Sequence, residues 1–515
     1  YAFSAEGKDS DTAAVSTITG SGVYNIVGDI RAADGGILTL DLAEGSRFEG
    51  KAVLDSGNDS QSTLTMAKNS LWTLTGNSQL NSLQNEQSVI DMTGDNKAFS
   101  TLSVGTLTGN GGTIIMDIDG SQVDASDKIY VTGDFSGSQT LSLKEINGLD
   151  SDPGIGQAAE NTVLASVNGS GTFTADDQEG TLYWQRYELG QKDSAASGYT
   201  TDWYLKGITN LNLPTTSVEA IAASGALAYH TWRDHDQLLQ RLGDLRQHGR
   251  EEEGVWVRVK GGKLSRSDQF EFENKYTQYE LGYDQKLKST PAYTRYAGIS
   301  FSYLDGDSSY SSGSGENKVK ALNIYGTQIG AKGHYLDLVL KYSQLDNDFK
   351  VFDTSGNKIT GDYDQNGLSI SAEYGRKNNL KNNWYIEPQA QLTFGRLRGT
   401  DYTTSNGIRV DQDGIDSFVG RIGFNIGKDI NEKTNIYLKA NLMHEFGGGY
   451  NASMVDAGGT KARLDRDFDD TWFEYGLGAA VQTGKNNYFY VDVERSAGSD
   501  YKKDWQWNVG ARWSF

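Results

Sequence analysis

Catalysis and metal binding need particular side chains brought together, and this sequence is poor in them. It has no cysteine, which excludes thiol catalysis, disulfides and cysteine-based zinc sites. Five histidines occur, the first at His230. The stretch Asp55-Ser-Gly-Asn-Asp-Ser60 has the look of a protease nucleophile loop. A Ser-His-Asp triad still cannot be assembled before His230 without an imidazole, so the stretch reads as a turn. Asp117/Asp119, Asp124/Asp127 and Asp176/Asp177 offer oxygens of the kind that hold Ca²⁺. They lack the Gly-Gly-x-Gly-x-Asp repeat of calcium β-rolls and read as solvated loop charge. His230 and His235 are five apart and do not share a helix face, which argues against a metal pair. The expectation is a chain with no catalytic residue, metal site or cofactor of its own.

The elements that would carry any function are β-strands. Among 515 residues there are 62 Gly, 28 Tyr and only 4 Pro. Mean hydropathy is −0.56, and no apolar run approaches the length of a transmembrane helix. A transmembrane β-barrel remains open, because its strands alternate and score as polar. The net charge of −21 is uneven: residues 1–213 carry 11 Lys+Arg against 28 Asp+Glu, the remainder 36 against 40. An acidic front half excludes a nucleic-acid footprint and suits a solvated domain at a cell surface. No secretion signal precedes Tyr1, which for an exported protein implies a processed or trimmed chain.

The clearest single strand is the last, Trp505-Gln-Trp-Asn-Val-Gly-Ala-Arg-Trp-Ser-Phe515. Trp505, Trp507, Val509, Ala511, Trp513 and Phe515 fall on one face; Gln506, Asn508, Gly510, Arg512 and Ser514 fall on the other. So many aromatics on one strand face would aggregate in water and make sense against lipid. Eleven upstream stretches repeat the pattern, at 254–263, 277–284, 296–303, 321–328, 335–343, 367–374, 384–394, 417–426, 435–446, 471–481 and 488–495. An even count of strands about ten residues long is what a closed outer-membrane barrel requires. Arg258, Glu280, Glu373, Glu387, Arg421, Lys439, Glu474, Asp492, Glu494 and Arg512 face inward by this alternation and read as solvated lumen charges. Between strands, 330–333 and 483–486 read as short turns. The polar stretches 305–317, 347–365, 400–416 and 447–470 read as long external loops.

Residues 1–213 differ. Short apolar alternations such as Leu71-Trp-Thr-Leu-Thr75 and Thr113-Ile-Ile-Met-Asp-Ile118 stand between Gly, Ser, Thr and Asn. They read as a β-solenoid or a sandwich, with 69–76, 81–83 and 90–92 as successive rungs. At Pro214 the composition shifts. Ser217 to Tyr229 is the most helix-prone stretch in the chain, with Thr216-Ser-Val-Glu219 fitting a capping box. The helical spacing resumes in Leu238, Leu239, Leu242 and Leu245. This helix is too charged for lipid. It suits a barrel lumen, with Arg233, Arg241 and Arg246 meeting acidic walls and Asp244 between them.

Three sets of residues carry a family resemblance. Trp505 to Phe515, with Gly510 and a terminal Phe, resembles the terminal β-signal of outer-membrane barrels. The run 99–116, then Ser126-Asp-Lys-Ile-Tyr-Val-Thr-Gly133 and Gly137-Ser-Gln-Thr-Leu-Ser-Leu143, resembles the C-terminal part of pertactin-like autotransporter passengers. Arg241-Leu-Gly-Asp-Leu-Arg246, then Gly254-Val-Trp256-Val-Arg258 and Gly261-Gly262, resembles the helix-to-first-strand junction of type Va autotransporter translocators.

The resemblance implies an all-β chain: a right-handed parallel β-helix passenger fragment (1–213, with an autochaperone-like cap over about 60–207), a linker helix (214–253) and a 12-stranded antiparallel transmembrane β-barrel (254–515). It implies passage of the passenger C-terminal end first, with 109–112 and 127–143 as the folding seed. It also implies outer-membrane lipid, the barrel-assembly machinery and periplasmic chaperones as partners, a monomeric barrel, and a host-cell or glycan ligand for the passenger. Trp505, Trp507, Val509, Gly510, Trp513 and Phe515 are expected in assembly recognition. Arg233, Leu238, Arg241, Leu242, Asp244, Leu245 and Arg246 are expected in plugging the pore. In a subgroup of the family an Asn-Asn pair in the helix is cleaved by barrel carboxylates. Asp236-Gln237 stands at that place here, a departure that tells against self-cleavage by that route.

Overall fold

The computed structural model describes residues 1–8, 13–55, 59–94, 98–147, 161–242, 253–484 and 486–515. The chain falls into two compact units, one of residues 1–215 with 458–460 and the other of residues 216–457 and 461–515.

The first unit is a parallel β-solenoid. Short strands repeat at matching points of successive coils and pair in parallel, as in Ile37–Leu42 on Gln61–Met66 and Leu71–Thr73 on Val89–Asp91. In-register pairing stacks like side chains into columns. One column runs Leu40, Leu64, Leu83, Leu107, Phe135. A second runs Ile26, Phe48, Trp72, Ile90, Ile114, Leu141. All are buried, so no coil has a core without its neighbours. The three stretches expected as successive rungs are not three rungs. Leu71–Thr73 and Val89–Asp91 are neighbours in one sheet, while Ser78–Asn85 belongs to another face of the coil. Similar strand patterns on every face of a coil make its faces indistinguishable by periodicity alone.

The solenoid ends by changing pairing direction. Val163–Gly169 pairs antiparallel with Thr201–Pro214, which pairs antiparallel with Tyr183–Asp193. This hairpin covers the sheet edge that another parallel coil would occupy. Trp203 is buried edge-on to Phe173, with ring centroids 5.5 Å apart, and Trp184 is half-buried. The aspartates considered as ligands serve the backbone and neighbouring side chains. Asp119 Oδ1 accepts from the amide of Ser121 at 2.8 Å, and Asp177 accepts two bonds from Arg186 at 2.8 and 2.9 Å.

The second unit is an antiparallel barrel of twelve long strands: Gly254–Arg266, Phe272–Ser289, Tyr293–Tyr310, Gly313–Gly330, His334–Phe352, Lys358–Arg376, Trp384–Leu397, Ile415–Asn431, Thr434–Glu445, Thr471–Gln482, Asn487–Ala497 and Tyr501–Ser514. Each pairs with the next, and the first closes on the last from Gly254↔Ser514 to Arg266↔Tyr501. All twelve predicted cores fall on these strands, with 435–446 and 505–515 each running one residue past the strand end. The outward faces carry an apolar band, with Leu281, Phe301, Ile324, Leu340, Ile370 and Phe394 exposed. Exposed apolar side chains repeated around a closed wall are a lipid face.

The loop expectations need correction. Strand pairing continues through 305–317, down to Tyr310↔Gly313, and most of 347–365 is paired likewise. The stretches 400–416 and 447–470 contain a four-stranded sheet of Thr400–Thr403, Arg409–Gln412, Gly449–Val455 and Lys461–Asp467. Alternation persists in these segments, with Ile359, Tyr363, Val410, Tyr450, Ala452 and Met454 buried between polar residues, but in short runs broken by turn residues that read as loop. The short turn at 331–333 is present, while 483–486 includes a residue outside those described.

Candidate functional site

A helix from Thr216 to Arg233 occupies the barrel lumen, and nearly every residue of it is buried. It begins at Thr216, so this residue lies inside the helix rather than at the predicted cap. Its small residues are small for a reason of space. A Cβ on Gly225 would lie 2.6 Å from the Tyr450 hydroxyl. The wall also yields to the helix: a Cβ on Gly367 would lie 2.0 Å from Trp232 Nε1.

Polar contacts fix the direction of threading. Near the loop end, Asn406 Nδ2 donates to Ser217 Oγ at 2.9 Å. Midway, Ser224 Oγ lies 2.8 Å from the Tyr363 hydroxyl. Tyr229 then donates to Glu445 Oε2 at 2.7 Å; the same carboxylate accepts from Ser417 Oγ at 2.6 Å and from the Phe418 amide at 2.7 Å. Arg233 approaches Glu445 at 3.6 Å and lies over the ring of Trp472 at 4.6 Å. His230 stacks on Tyr501 with centroids 4.3 Å apart, its Nε2 3.0 Å from Arg266 Nη1.

The helix then breaks over residues 234–237, against the continuous helical spacing read from the sequence. Wall cations account for the break. Lys260 Nζ sits between Asp234 at 3.0 Å and Asp236 at 3.1 Å. Arg258 bonds Asp236 at 2.5 Å and also Glu280. Lys503 Nζ reaches Asp234 at 3.2 Å and Glu494 at 2.6 Å, and Lys341 Nζ donates to the Asp234 carbonyl at 3.3 Å. These groups draw the two carboxylates and a backbone carbonyl outward to the wall, which a helical turn cannot allow.

A short helix, Leu238–Leu242, completes the plug. Glu373 caps it, accepting from the Leu238 amide at 2.8 Å. Leu238 packs in a cluster with Trp256, Tyr325 and Tyr335. Arg241 bonds both oxygens of Asp337 at 2.8 and 2.7 Å, while its carbonyl accepts from the Tyr490 hydroxyl at 2.6 Å. Asp337 stands near the start of His334–Phe352, at the short-turn end. The segment therefore runs through the lumen from the loop end to the short-turn end. Leu242 ends the short helix, and Asp244, Leu245 and Arg246 lie outside the described residues.

The inward charges read as solvated are not solvated. Arg258, Glu387, Arg421, Lys439, Asp492 and Arg512 are all buried. They pair among themselves and with the plug, as in Lys439–Asp492 at 2.6 Å and Arg421–Glu373 at 3.1 Å. Paired, they make a cross-linked polar interior rather than an aqueous pore. Glu445, Lys260 and Lys503 are central to it, and the candidate residues drawn from the sequence omitted them. Alternation from Lys439 through Asn441 would have placed Glu445 inward.

The terminal strand faces as its alternation requires. Trp505, Val509, Trp513 and Phe515 are exposed on the outer wall, with Trp507 half-covered. Gln506, Asn508 and Arg512 point inward, where Asn508 Nδ2 donates to the Gln240 carbonyl at 3.0 Å and Arg512 pairs with Asp284. The seam glycines accommodate rings. A Cβ on Gly261 would lie 2.6 Å from the Trp507 ring, one on Gly262 2.8 Å from the Tyr276 hydroxyl, and one on Gly510 2.0 Å from the Tyr490 ring. Trp256 is fully buried, donating from Nε1 to the Tyr325 hydroxyl at 2.9 Å.

Comparison with known proteins gives this geometry a family. Residues 255–494 match the family model of the autotransporter beta-domain. A probable autotransporter, YcgV, of Escherichia coli K12 is 28% identical over 548 residues, spanning 98% of this chain and 55% of its own length. The pertactin autotransporter of Bordetella bronchiseptica is 28% identical over 94% of this chain and 56% of its own. The serine protease pet autotransporter of Escherichia coli O44:H18 is 26% identical over 88% of this chain and 34% of its own. This chain thus spans about half or less of the length of these relatives. A helix-plugged β-barrel following a parallel β-solenoid in the chain, with matches running through both, makes this chain similar to the autotransporters, with residues 255–494 matching their beta-domain.

Proposed function

We propose that the barrel, anchored in outer-membrane lipid as a monomer, displays the β-helical segment at the cell surface after that segment has crossed the membrane C-terminal end first. Residues 216–242 then stay behind as the plug. The observation that carries this reading is the direction of threading: Ser217 lies at the loop end and Arg241 at the short-turn end. With short turns in the periplasm and long hairpins outside, a chain leaving the lumen at Thr216 leaves it outwards. In this reading the β-domain is a conduit and anchor with no chemistry of its own. The terminal strand is what the assembly machinery and periplasmic chaperones recognise, and the displayed β-helix acts by contact, as an adhesin for host-cell or glycan surfaces.

Protease applied to intact cells tests this. Removal of residues before about 214, leaving a heat-modifiable fragment of roughly 30 kDa (about 300 residues, by the usual domain arithmetic), supports it. A protected front half, or no fragment that shifts on heating, rejects it. The likeness to a serine protease autotransporter favours a second reading, in which this chain is the stem and translocator of a secreted enzyme. Peptide-hydrolysing activity released from the cell surface with the passenger would select that reading, and adhesion of cells without such activity the first.

A further inference from the structure

Paired residues of neighbouring antiparallel strands point to the same side, so outward side chains line up in rungs around the barrel. One rung runs Ile426, Leu438, Leu477, Val493, Trp507, each the register partner of the next. Every member is bulky. The rung nearer the loop end runs Phe424, Ala440, Tyr475, Arg495, with Trp505 beyond it on the terminal strand. Here the single methyl of Ala440 stands between two rings. The notch opens into a groove of about 680 Å³ on the outer wall, reaching from Phe424 and Tyr475 to Trp505.

Arg495 stands at the rim of this groove. Its side chain is exposed on the lipid face, with Val493 and Ala497 as its outward neighbours along the strand. It has no carboxylate partner among the described residues. An unpaired guanidinium on a lipid face is unfavourable unless an anion is at hand. The height is informative too. Trp505 and Trp513 lie on one face of one strand, eight residues apart, a spacing that suits the two aromatic girdles of an apolar band. Arg495 is level with Trp505, at the loop end, which in the orientation proposed above meets the phosphates of the outer leaflet. A guanidinium fork matches a phosphate with two parallel bonds, and an apolar groove leading away from it suits a hydrocarbon chain.

We propose that this wall binds a phosphorylated glycolipid of the lipid A type from the outer leaflet, with an acyl chain laid over Ala440 and a phosphate on Arg495. Native mass spectrometry of the full chain, purified from outer membranes in mild detergent, tests it. The expected result is one retained lipid A per protein. After delipidation, bis-phosphorylated lipid A restores the adduct, whereas dephosphorylated lipid A and phosphatidylglycerol do not. Arg495→Gln lowers the retained fraction by about tenfold, the scale of one charge-assisted bond. Arg495→Lys keeps part of it, Ala440→Phe removes it, and Arg376→Gln, on the outer face at the short-turn end, leaves it unchanged. Heat-modifiable mobility confirms that each variant is folded. If Ala440→Phe does not assemble, the two Arg495 variants decide alone. The proposal is overturned by no retained lipid A, by equal retention of phosphatidylglycerol, by an Arg495→Gln variant that binds as before, or by a protein dimer across this wall in place of the lipid.

Discussion

Arg241 and Asp337 are bonded through both carboxylate oxygens and almost fully withdrawn from solvent. Removing one partner of such a pair leaves the other as an uncompensated buried charge, whereas removing both leaves only a packing change. Arg241→Met is expected to destabilise the plugged barrel by about 3–5 kcal/mol, and Arg241→Met with Asp337→Leu to recover most of that. The temperature at which the folded band converts to the unfolded one on gels reads both. Gly367 makes a steric case at the same scale. Its missing Cβ is the space Trp232 fills, so Gly367→Val is expected to cost about 1–3 kcal/mol by overpacking, relieved when Trp232→Ala is added. In the solenoid the relevant residue is Asp127, whose carboxylate accepts from the amides of Ser100 at 2.6 Å and Asp117 at 2.7 Å. Burial outweighs those donors and pushes its pKa up to about 7. An unfolded aspartate titrates near 4. The folded state therefore holds the proton more tightly, and the stability this gives is present below about pH 4 and lost as pH rises to about 7. Asp127→Asn, which cannot ionise, is expected to flatten that fall in the unfolding transition of the solenoid; an unchanged pH profile would refute the assignment.

At the scale of elements, what was legible in the sequence is what alternation in hydropathy can express. Every barrel strand core could be read because one face meets lipid and the other does not, and Trp505 to Phe515 shows this most plainly. The external sheet could not, because its strands are short, and Thr400–Thr403 and Arg409–Gln412 carry only one apolar residue each, too few to show a period. The break at residues 234–237 could not either. Its cause is Lys260 and Lys503, which are remote in sequence and reach Asp234 only in the closed barrel. The terminal strand holds a further irregularity. Lys263 pairs with Trp505 but Leu264 with Lys503, so Asp504 is an extra residue in the ladder. It lets Lys503 point inward to Glu494 while Trp505 points to lipid. Because a one-residue slip inverts every face beyond it, deleting Asp504 is expected to aim Lys503 at lipid or Trp505 at the lumen. Loss of the heat-modifiable form, with Asp504→Ala retaining it, is the expected outcome in outer-membrane fractions.

For the barrel as a whole, wall and plug differ in what holds them. The wall is closed by its own ladder, from Gly254↔Ser514 around to Gly367↔Leu397, and among the described residues owes no backbone–backbone bond to the helix. The interior is different, because Arg258, Lys260, Glu373 and Glu445 each spend part of their bonding on residues 216–242. Deleting the plug therefore strands charges without opening the wall. Water is the partner that can replace those contacts at least cost, since an unpaired buried ion is far less stable than a hydrated one. A barrel begun at residue 253 is expected to assemble and remain heat-modifiable, to convert at a lower temperature, and to conduct ions steadily in planar bilayers where the plugged chain is quiet. The same reasoning separates two kinds of lesion. Arg241→Met weakens one tie among many and is expected to give brief, infrequent openings, whereas Asp234→Asn with Asp236→Asn releases Arg258, Lys260 and Lys503 together and is expected to give long ones. Equal conductance from the plugged and unplugged barrels would mean that the lumen is sealed by the wall's own side chains, and that the helix is a passenger's stem rather than a stopper.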